Sequence, residues 1–303
     1  MAREAFISKR FRGESLRQIE QANTIIAEYQ AQGYRLTLRQ LYYQFVSRDL
    51  ISNTVASYSK LGNVISDARL AGYIDWNAIE DRTRNLRALN TYDDPQELMK
   101  YTQYWYRLDK WANQPVRIEC WVEKEALLGI LERICNRYEV PYFACKGYVS
   151  SSEMYDAGKR YAQYIEHGQD VILLDLGDHD PSGIDMTRDK IDRLKLFMGD
   201  YYADQLIVNR LALNYDQIEL YNPPPNPAKS TDSRFVEYES NFGTSSWELD
   251  ALEPSVISDL IEAAIIEARD QDLWDLAVLN EKGDKDLLRK ASQQWSTIVE
   301  RLQ

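Results

Sequence analysis

Residues 171–183 read VILLDLGDHDPSG, and the fold turns on them. Val171–Leu174 is a short unbroken apolar run, the signature of a strand buried on both faces. Gly177, Asp178, Asp180, Pro181 and Gly183 are turn and helix-start residues, with Pro181 suited to a first helical position. Ser182–Phe197 then reads as a helix. A buried strand that turns directly into a helix is the repeating unit of a parallel sheet. Upstream, Ile118–Val122 reads as a strand, Glu125–Arg137 as a helix, Tyr142–Cys145 as a strand and Ser151–His167 as a helix. Downstream, Leu206–Leu213 is a further strand. This βαβαβ order predicts an α/β fold with a mostly parallel sheet and helices on both faces. Asn222–Pro227 is a stiff proline loop, and helices are expected near 254–268 and 284–302.

Ahead of Pro115 the pattern changes. Ser15 with Gln18, and Thr37 with Gln40, are two capping boxes, each opening an apolar stripe of helical period. A third helical stripe runs through Tyr58, Leu61, Ile65 and Ala68, and Tyr73–Trp76 reads as a short strand. Three short helices and a strand suggest a helix-turn-helix or winged-helix unit. The expected organisation is a DNA-binding domain over 1–90, a linker with one helix over 91–115, and a sheet domain with a C-terminal helical extension over 116–303.

The chain of 303 residues is 44% hydrophobic and 28% charged, which excludes both a disordered chain and a membrane bundle. No apolar run approaches a membrane span, and MAREAFISKRFRGES has no secretory core, so a cytoplasmic protein is expected. Cys120, Cys135 and Cys145 are widely spaced, which argues against a disulfide framework or a zinc site. The net charge of -12 is unevenly spread. Residues 1–90 hold 13 basic and 9 acidic side chains, a net of +4 that can face phosphate, while the remainder carries -16.

Two constellations carry chemistry. Glu123 follows one strand directly, and Asp178 and Asp180 follow another. Ligands of open α/β sheets sit beyond the carboxyl ends of the strands, so the three carboxylates are expected to converge there on Mg²⁺ or Mn²⁺. A phosphate ester is the substrate class that such a cation serves. The alternative is ordinary turn chemistry for the two aspartates. Asp175 is expected to be a structural hydrogen-bond acceptor, and His179 to point away from its Asp neighbours, either into solvent or as a support behind the ligands. In the second constellation Tyr42 continues the apolar stripe of Leu38, Leu41 and Phe45, whereas Tyr43 sits about 100° further round beside Arg39, partly exposed. A phenol next to a guanidinium can attack a phosphodiester, and it can equally be a packing tyrosine. Lys60, Asn63, Ser66 and Arg69 step along the third helix and either face a DNA groove or form a solvated face. Lys146 follows a strand and either meets phosphate or sits in a plain turn.

The motifs resemble a known family. LRQLYY (38–43) resembles the catalytic-tyrosine motif of the topoisomerase VI A subunit and the related meiotic double-strand-break transesterase. VEKEA (122–126) resembles the first Toprim motif, and DHDPSG (178–183) the second; KGY (146–148) and WELDAL (247–252) also match family segments in the family's order. The resemblance implies a winged-helix (CAP-like) domain followed by a Toprim domain. Tyr43 is then the nucleophile with Arg39 assisting, and Glu123, Asp178 and Asp180 are the metal ligands. It implies a homodimer on double-stranded DNA, with one subunit's tyrosine beside the other's metal site, and a covalent 5′-phosphotyrosine link. A separate ATPase subunit is a further implied partner. The chain is most similar to the reduced, free-standing "mini-A" proteins of bacteria and mobile elements, for which cleavage alone is the expected activity. Two other functions remain open: a Toprim nuclease using metal-activated water with Tyr43 structural, and a non-catalytic DNA-binding or assembly protein.

Overall fold

The computed structural model describes residues 3–80, 89 and 91–302. Helices α1 (Gly13–Ala31), α2 (Leu38–Ser47) and α3 (Val55–Leu70) bury one apolar cluster that includes Ile19, Ile25, Leu41, Phe45, Leu61 and Ile65. The capping box of α2 forms in full: the Thr37 hydroxyl accepts from the Gln40 N–H at 3.2 Å, and the Gln40 side chain accepts from the Thr37 N–H at 2.9 Å. The box expected at Ser15 does not form. α1 starts earlier, with Arg12 as its N-cap residue and Glu14 in the first turn, where a carboxylate meets the positive end of the helix dipole. The strand expected at Tyr73–Trp76 is a turn instead. The Asp75 carboxylate accepts from the Asn77 N–H at 2.9 Å, a local bond that competes with strand pairing. Among the described residues, backbone pairing near it is confined to single bridges, Ala5 with Ala71 and Leu36 with Ile79. Arg82, Arg84 and Arg87, and the boundary expected at residue 90, lie outside the described residues.

After α4 (Pro95–Trp105), which Asp94 caps, the alternation begins. Its elements are β1 (Val116–Val122), α5 (Leu128–Tyr138), β2 (Tyr142–Ala144), α6 (Ser151–Glu166), β3 (Asp170–Leu176), α7 (Pro181–Met198) and β4 (Leu206–Ala212). The sheet is parallel throughout, in the order β2-β1-β3-β4. Successive strand residues feed opposite faces. Ile118, Cys120, Val122, Leu174 and Leu176 pack with α5, while Trp121, Val171 and Leu173 pack with α6 and α7. The chain leaves β1 toward β2 and then crosses back to β3 on β1's other side. The topological switch point therefore falls between the carboxyl ends of β1 and β3, where such sheets bind ligands.

The rest of the chain closes over that end. α8 (Tyr215–Tyr221), β5 (Asn226–Pro227), α9 (Phe235–Phe242) and β6 (Ser245–Ser246) lead to α10 (Pro254–Ala268), α11 (Gln271–Gln293) and α12 (Trp295–Leu302). β5 and β6 pair antiparallel, and Trp247 bridges His179. The helix expected over 284–302 begins much earlier, because Asp270 caps α11 by accepting from the Leu273 N–H at 3.0 Å, and it breaks at Gln294. α10 joins the sheet core beside α5, and α11 lies along α4. Buried Lys110 ties this arm down, contacting Glu281 and lying 2.6 Å from Glu139. Burial alone would raise the Glu281 carboxyl, but hydrogen bonds from Lys110, Lys285 and the Leu108 N–H hold it down at about 2. Among the described residues no helix is long and apolar enough to cross a membrane.

Two stability tests follow from this packing. Tyr42 is buried as its stripe requires, and its hydroxyl also lies 2.9 Å from Asn53 Oδ1 and 3.2 Å from the Thr54 carbonyl. In urea titrations Tyr42→Phe is expected to cost about 1 kcal/mol, the worth of that hydrogen bond, and Tyr42→Ala about 3–5 kcal/mol. The Glu281 carboxyl is held below its ordinary value, so the stability it contributes is full above about pH 5 and is lost as pH falls toward about 2. Glu281→Gln should flatten that acid limb of the unfolding midpoint; an unchanged limb would refute the assignment.

Candidate active site

Because β1 and β3 are neighbours in register, Val122 opposite Leu176, the residues just past them meet. The Glu123 carboxylate accepts from the Asp178 N–H at 2.9 Å. The Asp178 carboxylate accepts from the Leu249 N–H at 2.8 Å and lies 2.8 Å from Lys124 Nζ. Asp180 is the N-cap of α7, accepting from the Gly183 N–H at 2.6 Å. The three carboxylates thus share the strand ends, each turned to a protein donor. Among the described residues no three His, Cys, Asp or Glu side chains are gathered closely enough to hold a metal ion as they stand.

Four residues that sequence reasoning left unassigned organise this end. Lys124 Nζ lies 2.7 Å from Glu248 Oε2 and 3.0 Å from Asp250 Oδ1, as well as against Asp178. Arg39 of α2 contacts the same Glu248 oxygen, and its Nε lies 2.8 Å from Asp250 Oδ2. Arg210 of β4 reaches under the DHDP turn, donating to the carbonyls of Asp178 at 2.6 Å and Gly183 at 3.0 Å. The signal for Lys124, Glu248 and Asp250 was present in the VEKEA and WELDAL segments; nothing local marked Arg210.

The charges on these groups follow from burial and neighbours. Burial disfavours the Lys124 ammonium, but Asp250, Asp178 and Glu248 outweigh it and raise its pKa. Burial would raise Glu248 too, yet Lys124 and Arg39 hold it at about 2. The Asp178 carboxyl is pushed up by burial first and, against Lys124's opposition, by the neighbouring Glu123 and Asp250. Around one ammonium stand Asp178, Glu248 and Asp250, with Glu123 beside Asp178 and Asp180 on the same cavity wall. This surplus of oxygen donors is the chemistry that suits a hard divalent cation.

Other expectations are met or corrected. Asp175 is an internal acceptor, bonded by Thr187 at 2.7 Å and by buried Lys190. His179 does not point toward solvent. It is buried in an aromatic box of Tyr215, Tyr238, Phe242 and Trp247, and burial pushes its pKa down to about 4. The side of the turn that alternation assigns to solvent is covered by α9 and by Trp247 just past β6, which no local pattern foretells. Tyr43 is not partly exposed but 4% exposed, because α2 is covered on both sides, by its own helical cluster and by the 249–251 turn. Arg39 lies 5.8 Å from the Tyr43 ring centre, so the shared face holds. The phenol pKa is raised by burial, then by Asp250 and Glu248, against Arg39 and Lys124.

The expected DNA-facing cations are otherwise engaged. Arg69 is turned inward, donating to the Trp76 carbonyl at 2.9 Å and stacking 4.7 Å from its ring centre. Lys60 is exposed and paired with Glu14 at 2.8 Å, while Asn63 and Ser66 are exposed. Lys146, at a φ of 56°, pairs with Glu125 at 2.9 Å.

Two cavities meet here. One of about 320 Å³ is lined by Tyr42, Tyr43, Asn53 and Tyr58, and one of about 260 Å³ by Lys124, Asp178, Asp180 and Lys229. Arg39, Asn226, Pro227 and Glu248 belong to both. Comparison with protein-family models and with curated proteins gave no match.

The turn itself has a steric requirement. A Cβ at Gly183 would overlap the Asp178 carbonyl oxygen, whereas one at Gly283 in α11 meets nothing within 4 Å. Gly183→Ala is therefore expected to destabilise by about 2 kcal/mol or more, and Gly283→Ala to stabilise by about 0.5–1 kcal/mol. Urea titration of the two variants side by side checks the contrast.

Proposed function

We propose that this chain cleaves double-stranded DNA by tyrosine transesterification, as a relative of the topoisomerase VI A subunit most similar to the free-standing "mini-A" proteins. One observation carries the reading: Arg39, beside Tyr43, and Lys124, beside Asp178, bind the same two acids, Glu248 and Asp250. The tyrosine helix and the strand-end carboxylates are thereby tied into one charged network, and in the homodimer one subunit's Tyr43 acts beside the other's Glu123, Asp178 and Asp180. In this proposal the helical segment is a winged-helix domain and the parallel sheet a Toprim domain. Tyr43 Oη attacks phosphorus, a 5′-phosphotyrosine bond forms, and the 3′-oxygen leaves and takes up a proton. Arg39 and Lys124 balance the phosphate's charge. Glu123, Asp178 and Asp180 would hold Mg²⁺ or Mn²⁺, which adds positive charge against the reacting phosphate. Homodimerisation on DNA and a separate ATPase subunit belong to the same proposal.

A second reading has its own support. Tyr43 is buried and its phenol resists ionisation, which favours a nuclease that uses metal-activated water, with Tyr43 structural. End-labelled duplex incubated with Mn²⁺ and then denatured separates the two. Transesterification predicts protein covalently joined to 5′ ends, an adduct that Tyr43→Phe abolishes while the protein stays folded. Glu123→Gln is expected to slow cleavage by about 10²–10³-fold, the scale of losing one stabiliser of reaction charge. Undiminished cutting by Tyr43→Phe, with free 5′-phosphates, would establish hydrolysis instead.

A further inference from the structure

Glu248 occupies an unusual place. A single oxygen, Oε2, is shared by the Arg39 guanidinium and the Lys124 ammonium, at 2.7 Å from the latter. Its other oxygen is only loosely held, 3.4 Å from Asn226 Nδ2. Behind it, Asp250 also binds both cations, at 2.8 Å and 3.0 Å. The two acids differ in access: the Asp250 side chain is 1% exposed and the Glu248 side chain 25%. Asp250 thus holds the cations in position from beneath, and Glu248 caps them from the cavity side. Glu248 also lines both cavities, the one with Tyr43 and the one with Asp178 and Asp180.

We propose that the Glu248 carboxylate is an internal stand-in for phosphate, occupying in the free chain the place between Arg39 and Lys124 that a DNA phosphodiester takes on binding. The proposal rests on the DNA-cleavage reading. It explains why two cations suited to phosphate are saturated. Exchange replaces one anion by another on a cation pair that Asp250 keeps fixed, so no bare buried charge is created. It also makes the free chain self-restrained: without the exchange, Arg39 and Lys124 stay occupied.

The test measures binding of a short fluorescently labelled duplex in chelator, where cleavage plays no part. Glu248→Gln keeps the shape and removes the competing charge, and is expected to bind about tenfold more tightly than wild type. Glu248→Asp keeps the charge but shortens the reach; it should bind at intermediate strength and serves if the Gln variant does not fold. Glu267→Gln, at an exposed acid of α10, controls for general loss of negative charge and should change affinity less than about twofold. The gain from Glu248→Gln should vanish when Arg39→Gln or Lys124→Gln is also present. No gain in affinity, or a gain that persists without Arg39 and Lys124, overturns the proposal. An adduct formed by wild type with no gain in Glu248→Gln overturns the proposal alone. A cation-dependent gain with no adduct supports the phosphate site and removes the transesterase reading.

Discussion

Asp250 is a carboxylate 2% exposed, and a buried charge is tolerated only when it is paired. Its partners come from the two separate parts of the chain, Arg39 from helix α2 and Lys124 from the end of strand β1. Meeting that electrostatic demand pins the tyrosine helix against the mouth of the sheet. The flanking residues reinforce the joint. Leu249 and Leu252 enter the sheet core, whereas Ala251 enters the helical core. Tyr29 and Gln44 reach Glu253, the latter at 3.0 Å, and the Tyr34 hydroxyl reaches Ser258 at 3.1 Å. Five consecutive residues thus serve two cores and an ion-pair network.

Around this joint the cleft is built from backbone as much as from side chains. Arg210 satisfies the carbonyls of the DHDP turn, and Gly183 leaves room for the Asp178 carbonyl. Gly177 lets Glu123 approach closely: a Cβ there would stand 3.2 Å from its carboxylate. The turn is consequently rigid while it carries its aspartates, which is the preorganisation that an electrostatic site needs. The excess of acids over bases at its surface sets the electrostatic cost of assembling it.

The alternation of strands and helices was legible in the sequence because parallel strands are short apolar runs and the intervening helices carry their own caps and stripes. Thr37 with Gln40, Asp180 with Pro181, and the run Val171–Leu174 each determine local structure through bonds and burial within a few residues. The residue types at the strand ends, Glu123, Asp178 and Asp180, were legible for the same reason, as was the shared face of Arg39 and Tyr43. What tertiary structure decided is how those pieces are covered and to whom they are bonded. Tyr43 and His179 are buried by segments far along the chain, Arg69 is claimed by Trp76, and the turn at Asp75 displaces an expected strand. The network of Arg39, Lys124, Glu248 and Asp250 spans more than 200 positions of sequence, and no local pattern encodes it. Periodicity reports a residue's own element; charge pairing and burial depend on which elements the fold brings against it.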